Sequence, residues 1–295
     1  MIMISYAQDV KNELARIFVD DEESLRAELL ALLIVGAKQI DGRIEFSSTN
    51  AATVRKVITL IKKFFPAVKL EVAAVRSKKL RKDLSYIARI FLTEEIQNFL
   101  AEIDSPDALK RTRYKVAYLR GAFLATGSVN RPETQYFLEI TSRVEAKIIF
   151  IRDLLTKLEF RAGFYKRKKK FVLWLREADS ICDFLGMIGA NEAVERFEVA
   201  RNLKEVCKQV NCIVNLETAA INKAVAAAQR QIADIRILIK KRVPIKRIYR
   251  ETMRARLDNP SCTINELAEK LGITPDGLKY RLKIIHQLAM KHNKK

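Results

Sequence analysis

The residue types that most often do chemistry at protein sites are few and scattered in this 295-residue sequence. The two histidines, His286 and His292, both lie near the end of the chain, so its body cannot hold a histidine-dependent catalytic triad. The four cysteines form no C-x-x-C pair, which argues against a zinc site and a disulfide framework. Small buried cysteines in a reducing compartment are the simpler interpretation. The sequence therefore predicts no metal and no cofactor.

Positive charge is the strongest chemical signal. The chain has 55 Lys and Arg against 35 Asp and Glu, a formal net charge of +20. Basic residues concentrate in segments 76–82, 166–170 and 236–256. One such cluster would be an ordinary solvated surface. Three of them predict a polyanionic partner, because each phosphate that Lys or Arg neutralises releases condensed counterions.

Nucleic acid is a better candidate for this polyanion than a membrane surface. The longest unbroken apolar stretch, residues 29–37, falls well short of the roughly 20 residues that a membrane span needs. No basic amphipathic helix carries an aromatic anchor, and the first residues do not resemble a secretion signal. We expect a cytoplasmic, nucleoid-associated protein.

Two segments share one order of elements, which predicts an internal duplication. Residues 24–91 read as a helix, a strand at Arg43–Ser48, an amphipathic helix and two strands joined by basic residues. The second segment, from residue 115, repeats this order, and IEFSSTNAATVRKVI aligns directly with LEITSRVEAKIIFIR. The predicted fold class is α+β, with tandem repeats forming a pseudo-twofold domain whose basic hairpins lie on related edges.

The rest of the chain is predicted to be helical. Residues 189–239 are rich in alanine and nearly free of glycine and proline, as in one or two long connecting helices. Thr263 and Glu266 form a capping-box pattern, and Gly272 suits a left-handed C-cap. Thr274 can cap a last helix that has Pro275 at its first position. A helical hairpin is the plain alternative, but the caps and the basic setting favour a DNA-binding helix-turn-helix.

In this interpretation the last helix enters the major groove of double-stranded DNA. Leu278, Leu282, Ile285 and Ala289 form its inner face. The candidates for base or phosphate contact are Thr274, Pro275, Asp276, Lys279, Tyr280, Arg281 and Lys283. The preceding basic helix, as far as Arg256, would hold the phosphate backbone, and its predicted contacts are Lys246, Arg247, Arg250 and Arg254.

The helix LRGAFLATGS resembles the LAGLIDADG motif of homing endonucleases, with Leu119, Gly121 and Gly127 at the matching positions. In those enzymes two such helices pack together, and an acid before the closing glycine binds a catalytic metal. Here Gly36 and Thr126 occupy the two acid positions, and neither can ligate a hard divalent cation. Glu28 lies too far back on the first helix to substitute. The resemblance therefore implies a LAGLIDADG-like domain without nuclease activity.

The whole combination resembles the WhiA family, and the tract N-x-E-T-A-x-x-N-K from Asn215 to Lys223 is its most specific part. The resemblance implies a bacterial DNA-binding protein of cell division, chromosome segregation and transcription control, with transcription or division proteins as further partners. We interpret Asn215 and Asn222 as groups that satisfy buried polar atoms. The predicted domains are residues 1–105 and 106–190 for the two repeats, 191–243 for the connector and 244–295 for the helix-turn-helix.

Three alternatives stay open. An RNA- or ribosome-associated protein is compatible with the net charge, and hairpin aromatics such as Tyr86, Phe164 and Tyr165 keep it in consideration. An active endonuclease is disfavoured by Gly36 and Thr126. An adaptor of division proteins, for which DNA contact is incidental, is the third.

Overall fold

The computed structural model describes residues 5–76, 84–104 and 109–293, and these divide into two compact units after Lys204. The basic segment 76–82 lies outside the described residues apart from Arg76. Of the first predicted basic hairpin, only the two flanking strands belong to the described residues.

The first repeat packs its helices against a four-stranded antiparallel sheet. Its elements are α1 (Tyr6–Ala15), α2 (Glu22–Gly36), β1 (Ala37–Ile40), β2 (Arg43–Ser48), α3 (Ala51–Phe64), β3 (Leu70–Arg76), β4 (Leu84–Phe91) and α4 (Glu94–Ala101). The strand order is β1-β2-β4-β3. Phe46 of β2 pairs with Ala88 of β4, and both side chains are fully buried beneath the helices. Alternation along β2 places every second residue in this core.

The second repeat has the same plan. Its elements are α5 (Thr112–Thr126), β5 (Gly127–Val129), β6 (Leu138–Ser142), α6 (Glu145–Thr156), β7 (Gly163–Arg167), β8 (Lys170–Leu175) and α7 (Ala178–Ile188). The strand order β5-β6-β8-β7 corresponds strand for strand to that of the first sheet. The predicted duplication is confirmed.

Helices α2 and α5 join the two repeats, and they approach closely. A Cβ atom at Gly121 of α5 would lie 2.3 Å from the carbonyl oxygen of Glu28 and 2.9 Å from the Cβ of Ala31. Leu29, Leu32 and Leu119 are fully buried around this crossing. Glycine is needed at position 121 because a Cβ atom there would prevent the two helices from packing this closely.

A single helix, α8 (Asn191–Lys240), follows the repeats, which is one of the two arrangements that the lack of glycine and proline left open. Asn215 and Asn222 are exposed on it, so their interpretation as partners of buried groups is wrong. The residues sit on an uninterrupted helix whose backbone groups already bond one another, which leaves the two amides facing water. Among the described residues, no helix has the length and apolarity needed to cross a bilayer.

The C-terminal unit packs three further helices against the last turns of α8. These helices are α9 (Arg247–Asp258), α10 (Ile264–Lys270) and α11 (Pro275–Asn293). Their core contains Met253, Leu267 and Leu278 together with Ile235 and Leu238 of α8. The boundary at residue 243 therefore falls after two α8 side chains that complete this core. The α+β class with a C-terminal helix-turn-helix is confirmed.

Candidate nucleic-acid interface

The turn between α10 and α11 has the local geometry that the sequence predicted. The Thr263 hydroxyl accepts from the amide of Glu266, whose carboxylate in turn accepts from the amide of Thr263 at 2.8 Å. The hydrogen bond from the Thr263 amide lowers the pKa of the Glu266 carboxyl. Gly272 has φ +61°, a left-handed conformation that favours glycine. The Thr274 hydroxyl accepts from the amide of Gly277 at 3.1 Å and fixes the start of α11.

One face of α11 is buried and the opposite face is open to water. Leu278, Leu282, Ile285 and Ala289 are buried as predicted. Of the predicted contact residues, Tyr280 is 62% exposed and Arg281 is half-buried. The others on this helix and at its cap are exposed; they are Thr274, Pro275, Asp276, Lys279 and Lys283. The fold thus brings these candidates together at the start of one helix.

Two of these candidates are paired with each other. The Lys279 ammonium lies 2.9 Å from an Asp276 carboxylate oxygen, one helical turn away. This pair is exposed and therefore weak, so either side chain can exchange its partner for a nucleic-acid group. Lys279 and Lys283 also line a cavity of about 380 Å³ together with Arg230 of α8. Arg230 lies 49 positions before Lys279 in the sequence, so the local pattern around α11 gives no sign that the two side chains meet.

The basic helix α9 presents the four predicted phosphate contacts to solvent. Lys246, Arg247, Arg250 and Arg254 are all exposed. Arg247 and Arg254 form ion pairs one turn along the helix with Glu251 at 3.0 Å and Asp258 at 3.7 Å. These ion pairs partly neutralise the positive charge of α9, but the arginine side chains stay in contact with solvent.

Arg256 is buried, so the prediction that the phosphate-contacting part of this helix extends to it is wrong. Its side chain is 1% exposed, and its guanidinium donates to the carbonyl oxygen of Cys262 at 2.7 Å. Burial lowers its pKa. Arg256 faces inward because α9 is amphipathic, and it holds the loop between α9 and α10 instead of a phosphate.

Gly36 and Thr126, the two positions predicted to be degenerate catalytic sites, form a second surface, in the repeat domain. Gly36 ends α2 and Thr126 ends α5, and both line one cavity of about 410 Å³. A Cβ at Gly36 would lie 2.6 Å from the ring of Phe46 and 2.9 Å from the Cβ of Ala125. The Thr126 hydroxyl is buried and has no hydrogen-bond partner within the described part of the chain. The structure therefore brings together the two positions that the sequence paired.

This cavity does not fit a divalent metal ion. Among its described lining residues are four cations, Lys38, Arg143, Lys147 and Lys170, and no carboxylate. Hard divalent cations need oxygen ligands and are repelled by ammonium and guanidinium groups. Elsewhere in residues 5–76, 84–104 and 109–293, no cluster of three or more His, Cys, Asp and Glu could hold a metal.

Glu28, the acid nearest to this cavity along α2, is committed to an ion-pair cluster. It is fully buried, and one carboxylate oxygen accepts from the Arg120 guanidinium at 2.9 and 3.0 Å. The other lies 2.5 Å from the Lys56 ammonium. Burial lowers the pKa of Lys56, and the neighbouring carboxylate opposes that shift. Glu28 balances two buried cations and is not available as a metal ligand.

The second basic hairpin, residues 166–170, lies at the turn between β7 and β8, and all five of its side chains are exposed. Arg167 is paired with Glu139 at 3.0 Å on the neighbouring part of the sheet. The remaining lysines form a compact positive patch at one end of the second repeat.

Comparisons with known proteins agree with this architecture. Residues 22–104 match the WhiA N-terminal LAGLIDADG-like domain, 115–207 the WhiA LAGLIDADG-like domain and 210–289 the WhiA C-terminal HTH domain. A relative from Staphylococcus epidermidis is 38% identical over 98% of this chain and 97% of its own. The chain belongs to the WhiA family. The family prediction is thus confirmed.

Several WhiA proteins are similar to this chain in sequence or in fold. The S. epidermidis relative and one from Staphylococcus aureus, which is 37% identical over 98% of this chain and 97% of its own, are both described as "probable cell division protein WhiA". Full-length WhiA from Thermotoga maritima has a TM-score of 0.60 and 22% identity, covering 98% of this chain and 99% of that one. The N-terminal LAGLIDADG domain of a WhiA protein has a TM-score of 0.54 and 25% identity over 62% of this chain and 89% of that one.

Proposed function

We propose that this chain is a non-catalytic, nucleoid-associated DNA-binding protein that acts in cell division and chromosome segregation and regulates transcription. The observation that carries the proposal is the exposed polar and basic start of α11, held by two caps and a left-handed glycine. The division role rests on the description of the relatives as probable cell division proteins. The partner is double-stranded DNA, with α11 in the major groove.

The two basic helices have different tasks in this proposal. Side chains at the start of α11, above all Lys279 and Lys283, reach base edges, and Asp276 can accept from a cytosine amino group. The exposed cations of α9 contact phosphates, which gives affinity without sequence preference. Lys279 must leave Asp276 to do so, and the exposed geometry of their pair makes that exchange easy.

Binding of the full chain to a selected duplex and to a random duplex tests this division of labour. Selection from a random pool supplies the preferred sequence. Lys279→Ala should lower affinity for the selected duplex more than for the random one, whereas Arg247→Ala should lower both by the same factor. Both variants alter exposed side chains, so folding is preserved. Equal losses on both duplexes in both variants would contradict the assignment of α11 as the reading helix.

Genome-wide occupancy then separates transcription control from chromosome organisation. A truncation after residue 241 would leave Ile235 and Leu238 without the helices that cover them, so point variants are better. Sharp promoter peaks that vanish in the Lys279→Ala Lys283→Ala variant indicate a transcription regulator. Broad occupancy that survives the variant would place binding elsewhere in the chain.

The absence of nuclease activity is also part of the proposal. It rests on Gly36 and Thr126 at the degenerate positions and on the cationic lining around them. Purified protein with Mg²⁺ or Mn²⁺ should leave duplex DNA intact over hours. Cleavage that a substitution at the basic hairpin 166–170 abolishes would overturn this part.

RNA is the second candidate partner, because the same exposed cations would attract any phosphate backbone. Competition of the selected duplex against structured RNA of equal length distinguishes the two. A preference for the duplex is expected.

A further inference from the structure

The part of helix α8 that precedes the C-terminal core is open to water on every side, although one of its faces is apolar. Every residue from 205 to 226 is exposed. Seven of these residues are large aliphatic side chains that are 47 to 67% exposed, namely Val206, Val210, Ile213, Val214, Leu216, Ile221 and Val225. A contiguous apolar face of this kind is rare on a monomeric protein and indicates a surface that another molecule covers.

The apolar side chains recur with the period of a coiled coil. Seven residues follow one another at alternating spacings of four and three, namely Val206, Val210, Ile213, Glu217, Ala220, Ala224 and Ala227. We call these seven residues the α8 seam. The opposite side of the helix is polar at seven-residue intervals, with Lys208, Asn215 and Asn222. A helix with such a seam is stabilised by packing against a second helix more than by its own propensity.

The charge of this tract favours a protein partner over nucleic acid. Residues 205–227 contain two acids, Glu205 and Glu217, and two lysines, Lys208 and Lys223, so the tract is neutral in a chain of net charge +20. Affinity for a phosphate backbone comes from an excess of Lys and Arg, which is lacking here. Because the tract is neutral, two copies of it can also approach each other without net repulsion.

The α8 seam is complementary to itself when two copies run in opposite directions. Its large side chains lie in the first half and its alanines in the second half. In an antiparallel pair, Val206 lies opposite the partner's Ala224, and Val210 lies opposite the partner's Ala220. Each large side chain then meets a small one, which is how facing helices fill the space between them.

Glu217, the polar residue of the seam, also favours the antiparallel direction. A parallel pair in register would place Glu217 against the same residue of the partner, and two like charges would face each other within the seam. An antiparallel pair places Glu217 opposite the partner's Ile213. The amide group of the partner's Gln209, one turn away, can then donate to the carboxylate.

The centre of the antiparallel arrangement extends the apolar contact to both sides of the seam. The twofold axis passes near Asn215, so Val214 and Leu216 each face their own counterpart. This is the closed, isologous contact of a twofold dimer. The helical tract is about 35 Å long, so pairing along it buries on the order of 500 to 700 Å² per chain. Specific interfaces bury about 600 to 1,000 Å² per partner, so the expected dimer is reversible.

We propose that the α8 seam binds the same tract of a second copy of this chain, as an antiparallel two-helix coiled coil. The occupant of the apolar face is thus a second identical helix. The proposal goes beyond the proposed DNA-binding function and does not depend on it.

The first test measures the mass of the full chain by sedimentation equilibrium without nucleic acid, from about 1 to about 100 µM. The mass should rise with concentration from that of one chain toward that of two. Val210→Glu should keep the chain monomeric, because pairing would bury an unpaired charge against the partner's Ala220. Asn222→Glu introduces the same charge on the polar side of α8 and is the matched control, which should pair like the unmodified chain. Both positions are exposed, so neither change disturbs a core.

The second test determines the direction of the two helices by disulfide cross-linking. The background is Cys207→Ser Cys212→Ser, which removes the two exposed cysteines of α8. In an antiparallel pair Val206 lies about 27 Å from its own counterpart, which is too far for a disulfide. Under mild oxidation neither Val206→Cys nor Ala224→Cys alone should cross-link, whereas an equal mixture of the two variants should.

Each contrary outcome overturns the proposal. The mass of a single chain at every concentration would mean that a different molecule covers the α8 seam. A dimer that survives Val210→Glu would mean that the chains pair elsewhere. Cross-linking of Val206→Cys with itself would mean that the helices run parallel. Failure of the α11 experiments would change none of these results, since they are measured without DNA.

Discussion

At the scale of single residues, Glu28 shows how burial determines the role of an acidic side chain. The sequence places it on the first LAGLIDADG-like helix and excludes it as a metal ligand by its distance from Gly36. The structure supplies its actual role, which is to neutralise Lys56 and Arg120 from two other helices. Sequence spacing could not reveal this, because Arg120 lies 92 residues away.

We predict that Glu28→Gln destabilises the protein by about 3 to 5 kcal/mol, because it leaves two buried cations without a counter-charge. Urea denaturation measures this loss. Glu22→Gln on the same helix is the control, since Glu22 is 68% exposed and its pair with Lys63 is worth less than about 1 kcal/mol. Equal losses of stability in the two variants would show that the buried ion pairs stabilise the protein no more than the exposed pair does.

Lys11 gives the protein a pH-dependent stability in the alkaline range. It is 8% exposed, and burial lowers its pKa to about 8. In the unfolded chain this lysine has a pKa of about 10.4, so between pH 8 and 10 it binds more protons there than in the folded chain. Stability contributed by this residue therefore rises with pH across that window. Below pH 8 the cost of burying the charge is fully present.

Lys11→Met should accordingly raise the free energy of unfolding at pH 7 by about 1 to 3 kcal/mol. The gain should shrink by pH 9.5, where the native lysine has lost most of its charge. Denaturation of both proteins at the two pH values measures the difference. A gain that is the same at both would mean that Lys11 stays charged in the folded state.

At the scale of elements, the sequence correctly predicts helices and strands that have a long periodic pattern or a capping residue. Strand β2 has the predicted bounds, and α8 is one helix, which is one of the two arrangements that its composition allowed. The short strands β1 and β5 were missed because each begins directly after a helix with no proline or turn sequence between them. Ala37 and Gly127 turn from helix to extended backbone through tertiary pairing with β2 and β6, which local sequence does not encode.

Packing of α2 on α5 depends on Gly121, so Gly121→Ala should cost several kcal/mol of stability. The new Cβ would collide with backbone at Glu28, which cannot move as a flexible side chain would. Gly186→Ala in α7 is the control, because the nearest atom to its Cβ is 3.9 Å away. That change should be neutral or stabilising, by up to about 1 kcal/mol. Similar thermal midpoints for the two variants would rule out the close helix crossing.

At the scale of the whole molecule, two units with separate cores should unfold separately. Leu119 is buried in the core of the repeats and Leu282 in that of the C-terminal unit. Each leucine-to-alanine change removes about 2 to 5 kcal/mol from its own unit. Calorimetry should show Leu119→Ala and Leu282→Ala lowering different transitions. If each variant lowered a single shared transition, the units would be one cooperative body.

Net charge predicted a polyanionic partner, but the sequence could not tell which cations are free to bind it. On the two sheets, Arg43, Arg89 and Arg167 are paired with Glu71, Glu45 and Glu139. The lining of the cavity at Gly36 holds cations without acids. Such pairing depends on strand register and helix packing, and composition contains neither.

The crowded contact at Gly36 also constrains how this chain can change over generations. Any side chain at position 36 must displace the Phe46 ring and Ala125, so a carboxylate introduced there by a single substitution would disturb the packing around it. Smaller residues at Phe46 and Ala125 would make room for it, but each of these changes alone would leave a packing defect. An acid at position 36 therefore lies more than one substitution away, and the intermediates would pass through a less well-packed end of α2.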